Sequence, residues 1–473
     1  MLLDLLWHAC DAVHASPIIS GALVALVILS LNVPYITQCW ARLRFQWQMK
    51  NLRRLGVRKS NMVDQYDPRY GDTGEPTAGH RTVRIKAIFI HPVKSCGPIE
   101  LDYARLTKPG LLYDRSFALA IQDSKPTGAD ESPKWRFISQ RTKPTMSQIE
   151  TELWLPQEGS DPGNVMVQSG GCLVMRFRTA GAMPSGPVSR LLSCFTTSKW
   201  TDHTIIVPLN PTPTFIAQEE LHTETFTIHY RDAQGLNMGA LASVATAVPH
   251  LKQFLNIPPH QKLTLFRCTP DTLARTDRNL APLANIGTAA VHGYTDQQPV
   301  NINSLSSVHA VSKLLPPENQ PLNALRFRAN IWISGAAAYD EESWKRFRVV
   351  RKGSGRGMVH GNAITPTMSV VCRTSRCTMP NVDPKTGCFS TSFPDSDSGK
   401  KRGKPQPSTS LVEHRTVENG NKMALGYIGM HCVPEDWNLQ QVSEGEDLVF
   451  RVGDEIEVLE RGEHLYGSTG NDY

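Results

Sequence analysis

Cys372 and Cys377 stand four residues apart in the run VVCRTSRCTMPNVDPKTG, at the end of an apolar stretch and among arginines. A cysteine in such a setting can be a disulfide partner, a zinc ligand, a nucleophile or a thiolate ligand to a softer metal. Cys372 closes the apolar run ITPTMSVVC, and its default is a buried, inert thiol. Cys377 lies between Arg376 and a turn sequence, Asn381-Val382-Asp383-Pro384-Lys385-Thr386-Gly387. Guanidinium groups of Arg373 and Arg376, with exposed backbone N–H groups, are expected to favour its thiolate. Zinc sites favour C-x2-C pairs, which this spacing with a later Cys388 does not supply. A nucleophile with His431 or His360 as base and a ligand to a soft metal both stay open.

Three basic positions are candidates for an anion site. Lys94-Ser95 follows a strand-like run and Pro92, and a lysine, a hydroxyl and strand-end N–H groups together can hold a phosphate. Asp114-Arg115 and Arg328 each adjoin a predicted strand, and arginine is the planar binder of phosphate and carboxylate. Taken singly, each is more often a structural ion pair or a solvated strand end. The run Gly353-Ser354-Gly355-Arg356-Gly357 lacks the spacing and the strand-to-helix setting of a phosphate loop, and reads as a hairpin turn.

The elements that must position these residues are mostly short strands. RTVRIKAIF alternates, with Val83, Ile85, Ala87 and Phe89 on one face of a half-buried strand. RSFALAI, CLVMRFRT, HTIIVPL, TFTIHYRDA and KLTLFRC read as further strands between turn-rich connections. The stretch 236–256 is helical, with Pro249 expected to kink or divide it. SLSSVHAVSKLL reads as a helix capped by Ser304 or Ser306, and RFRANIWISG as a buried strand. DLVFRV and EIEVLER resemble a closing hairpin, while 392–410 is low-complexity and expected to be a disordered insertion. So many short strands favour barrels or sandwiches over a doubly wound sheet.

At 473 residues the chain exceeds one ordinary core, which implies two or three domains. The net charge of +6 is mild, and no nucleic-acid partner is expected from it. It is unevenly spread: 12–63 holds no Asp or Glu but carries Arg42, Arg44, Lys50, Arg53, Arg54, Arg58 and Lys59. That basic segment follows the apolar run Ile18 to Val33, extendable to Ile36, which is just long enough for a spanning helix. Residues 1–36 therefore read as a signal anchor, spanning at about 16–36, with the bulk of the chain on the cytosolic side. Residues 37–80 read as a basic juxtamembrane segment and linker. Ten scattered cysteines suit a reducing compartment.

HPVKSCG, YDRSFALAI, RFRANIWISG and, above all, SRCTMPNVDPKTG resemble the mitochondrial amidoxime-reducing component, a molybdenum enzyme of the MOSC superfamily. The resemblance covers about 81–462. It implies a β-rich α+β fold: a MOSC N-terminal β-barrel-like domain over 81–255, a MOSC mixed β-barrel domain over 256–462 and a tail over 463–473. It further implies a pyranopterin molybdenum cofactor with Cys377 as ligand to molybdenum. Lys94, Ser95 and Arg115 match positions that bind its phosphate and pterin, and Arg328, Ser375 and Arg376 match further contacts. The segment SQRTKP, with Gln140, Arg141 and Pro144, resembles an element near the mouth of the site.

The implied activity is reduction of N-hydroxylated substrates, with electrons from NADH through a flavin reductase and a haem cytochrome of the b-five type. The implied location is the outer mitochondrial membrane. Sulfur transfer with a persulfide on cysteine, and a non-catalytic cofactor carrier or scaffold, are the alternatives. Gln297-Gln298 stands where the family commonly has Thr-Ser, Ala329 interrupts an F-R-P-N pattern, and His431 ends a late Gly-x-Asn/Tyr element. Gln297 and Gln298 can still hydrogen-bond the pterin, and His431 can donate a proton or bond the cofactor. Loops at 122–134 and 392–410 are longer than is typical of the family.

Overall fold

The run RIKAIFI forms the strand Arg84–Ile90, and the neighbours it recruits come from the far end of the chain. The computed structural model describes residues 43–71, 82–123, 134–180, 200–351, 364–393, 403–421, 423, 425–442 and 446–469. The largest sheet runs Ile331–Ser334, Val300–Ser304, Gly426–Pro434, Thr367–Arg376, Trp344–Val350, Glu455–Arg461, Arg84–Ile90, Ile99–Leu101. Pairing of Ile331–Ser334 with Arg84–Ile90 joins the first of these strands to the seventh and closes a ring. The strand Arg84–Ile90 is more buried than its alternation implies. Ile85, Ile88 and Ile90 enter the principal core, while Ala87 and Phe89 pack into a second core with Leu305, Val308 and Val311 of the helix Leu305–Lys313.

A second closed barrel contains Thr223–Ile228, Arg231–Asn237, Leu263–Arg267, Phe117–Gln122 and Trp135–Phe137. Phe226 and Phe266 stack in its core with ring centroids 4.4 Å apart, and Tyr294 meets Phe226 edge-on at 5.2 Å. Gly235 is required there, because a Cβ at that position would lie 2.1 Å from the Tyr294 hydroxyl. A four-stranded sheet of Leu52–Arg54, Glu150–Pro156, Cys172–Ala180 and Trp200–Pro208 lies beneath the helix Ala242–Phe254. That helix buries Val244, Ala247 and Leu251.

Several expectations change. The helix runs unbroken through Pro249: Pro249 and Ala245 are both exposed, so the carbonyl that loses its partner faces water. TFTIHYRDA is two strands, Thr223–Ile228 and Arg231–Asn237, turning at His229 and Tyr230. Val449–Arg451 pairs with Tyr103–Thr107 and Glu455–Arg461 with Trp344–Val350, so DLVFRV and EIEVLER do not form a hairpin with each other. Part of 37–80 is docked: Leu52–Arg54 is a strand, Met62 is buried and Gln65 accepts a hydrogen bond from the Ala324 N–H at 2.8 Å. Part of 392–410 is ordered as well, with a helix Ser408–His414. Its polar residues find partners in the fold: Asn381 donates to Ser408 Oγ at 2.8 Å, and Ser410 Oγ donates to the buried Gln406 at 2.9 Å. The glycine run 353–357 lies outside the described residues.

The expected membrane-spanning helix is corrected. No helix among the described residues is long and apolar enough to cross a membrane. The longest, Ala242–Phe254, has 13 residues, which at about 1.5 Å each falls short of a hydrocarbon core of about 30 Å. The expected span, 16–36, lies outside the described residues. The fold class is a β-rich pair of barrels with no spanning helix among the described residues, and the expected single-pass location at the outer mitochondrial membrane is withdrawn with it.

Candidate functional site

The two barrels meet at Tyr294, whose ring sits in the smaller barrel's core while Thr295 and Asp296 beside it line a cavity. The cavity has a volume of about 390 Å³. Its wall contains every site residue expected from the sequence: Lys94, Ser95, Arg115, Gln297, Gln298, Arg328, Ser375, Arg376, Cys377 and His431. They come from six separate stretches of chain. The strand Thr367–Arg376 contributes three residues in succession, Thr374, Ser375 and Arg376, followed by Cys377. Thr374 accepts from Asn301 Nδ2 at 2.6 Å and Arg376 donates to Asn301 Oδ1 at 3.2 Å on the cavity side, while Arg373 turns to Glu342 and Glu418.

The arginines differ in their partners. Arg115 pairs with buried Asp114, and its Nη2 donates to the Arg328 carbonyl at 2.9 Å. Burial works against the Asp114 charge, yet Arg115 and then His91 hold its carboxyl below the usual carboxylate range. Arg328 Nη1 donates to the Cys96 carbonyl at 2.8 Å, while its Nη2 is buried without a partner. Arg376 donates to the carbonyls of Ile428 at 2.9 Å and Phe327 at 2.8 Å, and to Asn301 Oδ1 at 3.2 Å. Neither Arg328 nor Arg376 has a carboxylate partner among the described residues. Burial lowers both to about 9, with Arg115 adding to the effect on each.

Lys94 is buried, donates to the Tyr294 carbonyl at 2.8 Å and pairs with Asp296. Burial lowers its pKa despite that partner. For Asp296 the burial effect is outweighed by Lys94 and His229, which hold the carboxyl well below its ordinary range. Burial, then Arg376, pushes His431 down to about 3, so its ring is neutral at physiological pH.

Six buried polar atoms of the wall lack hydrogen-bond partners: Ser95 Oγ, Thr295 Oγ1, Gln298 Oε1, Arg326 Nε, Arg328 Nη2 and His431 Nδ1. Backbone strain gathers in the same place. Ser95, Arg115, His229 and Arg328 all take left-handed φ values, 68°, 45°, 56° and 53°.

Cys377 is exposed, and its sulfur accepts the Met379 N–H at 3.5 Å. Cys372 is buried among Ala281, Ile286, Ala290, Val371 and Val433, and burial pushes its thiol up. The expected help from Arg373 is corrected: it pairs with Glu342 at 2.9 Å and Glu418 at 3.4 Å and does not line the cavity. Among the described residues no group of three His, Cys, Asp or Glu side chains is placed to hold a metal. A metal bound through Cys377 must therefore arrive with most of its ligands already attached, as a cofactor metal does. Unpaired guanidinium groups, orphaned donors and acceptors and one accessible thiol fit an anionic, polar cofactor of that kind.

Residues 82–187 match the MOSC N-terminal beta barrel domain, and residues 289–457 match the MOSC domain. The chain belongs to the MOSC superfamily. The MOSC domain is associated with molybdenum-cofactor binding, and its family includes sulfurase-like enzymes. No curated protein matches the chain. Within this MOSC cavity, sequence reasoning passed over His229, Asn301 and Asn330. Asn330 Oδ1 accepts from Arg115 at 3.2 Å and from the Asn301 N–H at 3.1 Å, so it positions the arginine and ties two strands. Its place two residues after Arg328 was the available signal; His229, inside a run read as one strand, offered none. Arg141 lines the cavity, and Gln140 donates to the Ser95 carbonyl at 2.9 Å.

Proposed function

We propose that this MOSC protein is a molybdenum-dependent oxidoreductase of the amidoxime-reducing type, removing oxygen from amidoximes and hydroxylamines. Its electrons come from NADH through a flavin reductase and a small haem cytochrome of the b-five type. The observation that carries the reading is the pairing of two half-buried guanidinium groups without carboxylates among the described residues, Arg328 and Arg376, with an exposed thiol, Cys377, on one cavity wall. Partly buried positive charge of this kind is costly until an anion balances it.

Cys377 supplies the thiolate ligand to molybdenum. Lys94, Ser95, Arg115, Arg328 and Arg376 hold the phosphate and pterin oxygens, and Ser375, Gln297 and Gln298 complete the polar contacts. His431, neutral at physiological pH, acts as a hydrogen-bonding group rather than as a charged acid. When bound, the cofactor supplies two-electron oxygen removal. Reduction of an N–OH group to N–H consumes two electrons and two protons and releases water, and the half-exposed mouth at His229 and Asp296 admits protons from solvent.

Molybdenum content of the full chain, expressed in a cofactor-replete host, tests this reading together with NADH-linked benzamidoxime reduction. Near-equimolar metal in the native protein and in Cys372→Ala, with marked loss in Cys377→Ala, is expected. Metal loss confined to Cys372→Ala overturns the ligand assignment. Because Cys377 is exposed, sulfur transfer is the second reading: persulfide on Cys377 without molybdenum supports it. Molybdenum without turnover supports a cofactor carrier.

A further inference from the structure

Arg141 is a cavity arginine with no oxygen acceptor among the described residues, whereas Arg328 has the Cys96 carbonyl. Arg115 has Asp114, Arg326 has Asp383 at 3.2 Å, and Arg376 has three oxygen acceptors. Arg141 Nη2 instead meets the ring of His229, at 2.6 Å from Nδ1 and 3.3 Å from Nε2. A guanidinium only donates, so the ring nitrogen facing it is placed as an acceptor, and the other nitrogen, Nε2, faces Asp296 Oδ1 at 3.1 Å. Four of the five guanidinium N–H bonds of Arg141 thus stay available on a half-buried side chain at the cavity edge.

The surroundings favour a planar, negatively charged ligand part. Tyr230 on the same turn is fully exposed, and the His229 ring is braced edge-on against Phe137 at 4.7 Å. Asp296, the nearest acid, is already held by Lys94 and His229. An arginine with free forked donors prefers a carboxylate, which it binds through two parallel hydrogen bonds, over a neutral nitrogen acceptor.

Building on the reductase reading, we propose that Arg141, with Tyr230 beside it, is a specificity-determining residue that selects N-hydroxylated substrates carrying a carboxylate. The carboxylate displaces the His229 ring from the guanidinium, and the N–OH end of the substrate reaches toward Cys377 on the same cavity wall.

The test uses the full, cofactor-loaded chain with benzamidoxime and 4-carboxybenzamidoxime, and calorimetric binding of their products, benzamidine and 4-amidinobenzoate. The native protein is expected to prefer the carboxylated member in both kcat/KM and Kd. In Arg141→Gln both preferences fall by about 10- to 100-fold, the range for losing a charge-assisted hydrogen bond, and Arg141→Lys restores part of them. A native protein without preference, or a preference that survives in Arg141→Gln, overturns the proposal. If neither amidoxime is reduced, the reductase reading fails and the two Kd ratios decide the carboxylate subsite alone: a ratio that collapses in Arg141→Gln upholds it, and equal ratios overturn it.

Discussion

A buried group is driven toward its neutral form, and that single rule separates the residues here. It raises the Cys372 thiol and leaves Cys377, at the exposed edge of the cavity, as the thiol able to meet a metal. It also lowers five histidines, chiefly by burial: His431 to about 3, His292 and His464 to about 4 each, and His91 and His203 in the same direction, from the ordinary 6.5. Each contributes stability that is complete above 6.5 and lost as the pH falls toward its folded value, because the unfolded chain takes up the proton first. Buried Glu341 has the opposite sign: burial raises it to about 7 from 4.5, so its contribution fades as pH rises across that interval. Five such rings outnumber the two carboxyls, Glu341 and Glu418, that burial raises. Urea denaturation of the cofactor-free chain should therefore show stability falling, by on the order of a few kcal/mol, between about pH 6 and about pH 5. Constant or rising stability over that interval would contradict the burial of these rings.

At the scale of elements, the site depends on places where strands depart from regularity. The strand Thr367–Arg376 shifts register twice against Gly426–Pro434 just before Thr374 and Arg376 reach the cavity. Arg328 ends the 3-10 helix Ala324–Phe327 in a left-handed conformation that sends its side chain inward to Cys96. On the facing strand Gly426–Pro434, Gly429 has φ 81°, and a Cβ there would lie 3.0 Å from both Arg376 Nη2 and the Ile302 carbonyl. Gly429→Ala is expected to cost about 1–3 kcal/mol through backbone strain and to displace the Arg376 guanidinium. Thermal melting reads the first effect and molybdenum retention the second. An unchanged melting temperature with full metal content would show that Arg376 needs no such room.

For the whole molecule, the barrels are built from segments distant in sequence. Arg84–Ile90 lies between Ile331–Ser334 and Glu455–Arg461, while Leu263–Arg267 pairs with Arg231–Asn237 and Phe117–Gln122. A cut between residues 255 and 256 removes one strand from each barrel and exposes unpaired edges together with the core positions Ile85, Ile88 and Leu265. Fragments 81–255 and 256–469 are each expected to lack a cooperative melt and to bind a hydrophobic dye, in contrast to the intact chain. A sharp transition in either fragment alone would show that the barrels are separable.

Local physics explains what was legible in the sequence. Short apolar runs between turn-rich connections, RIKAIFI, FALAI and CLVMRFRT, specified strands, because strand preference is a property of neighbouring residues. The apolar run before Cys372 and the turn after Cys377 likewise foretold one packed and one accessible thiol. The turn at His229 was hidden, since nothing in HYRD marks a left-handed residue, and its partners Arg141 and Asp296 lie 88 and 67 positions away. Polar residues in 392–410 looked unpartnered for the same reason: their acceptors, such as Asn381, are supplied by another part of the chain. By itself the sequence determined most of the strands, the accessible thiol and the set of basic candidates. Only the tertiary structure decided which arginines face the cavity without a carboxylate, because an ion pair such as Arg373 with Glu342 or Glu418 forms between residues that meet only when the ring has closed.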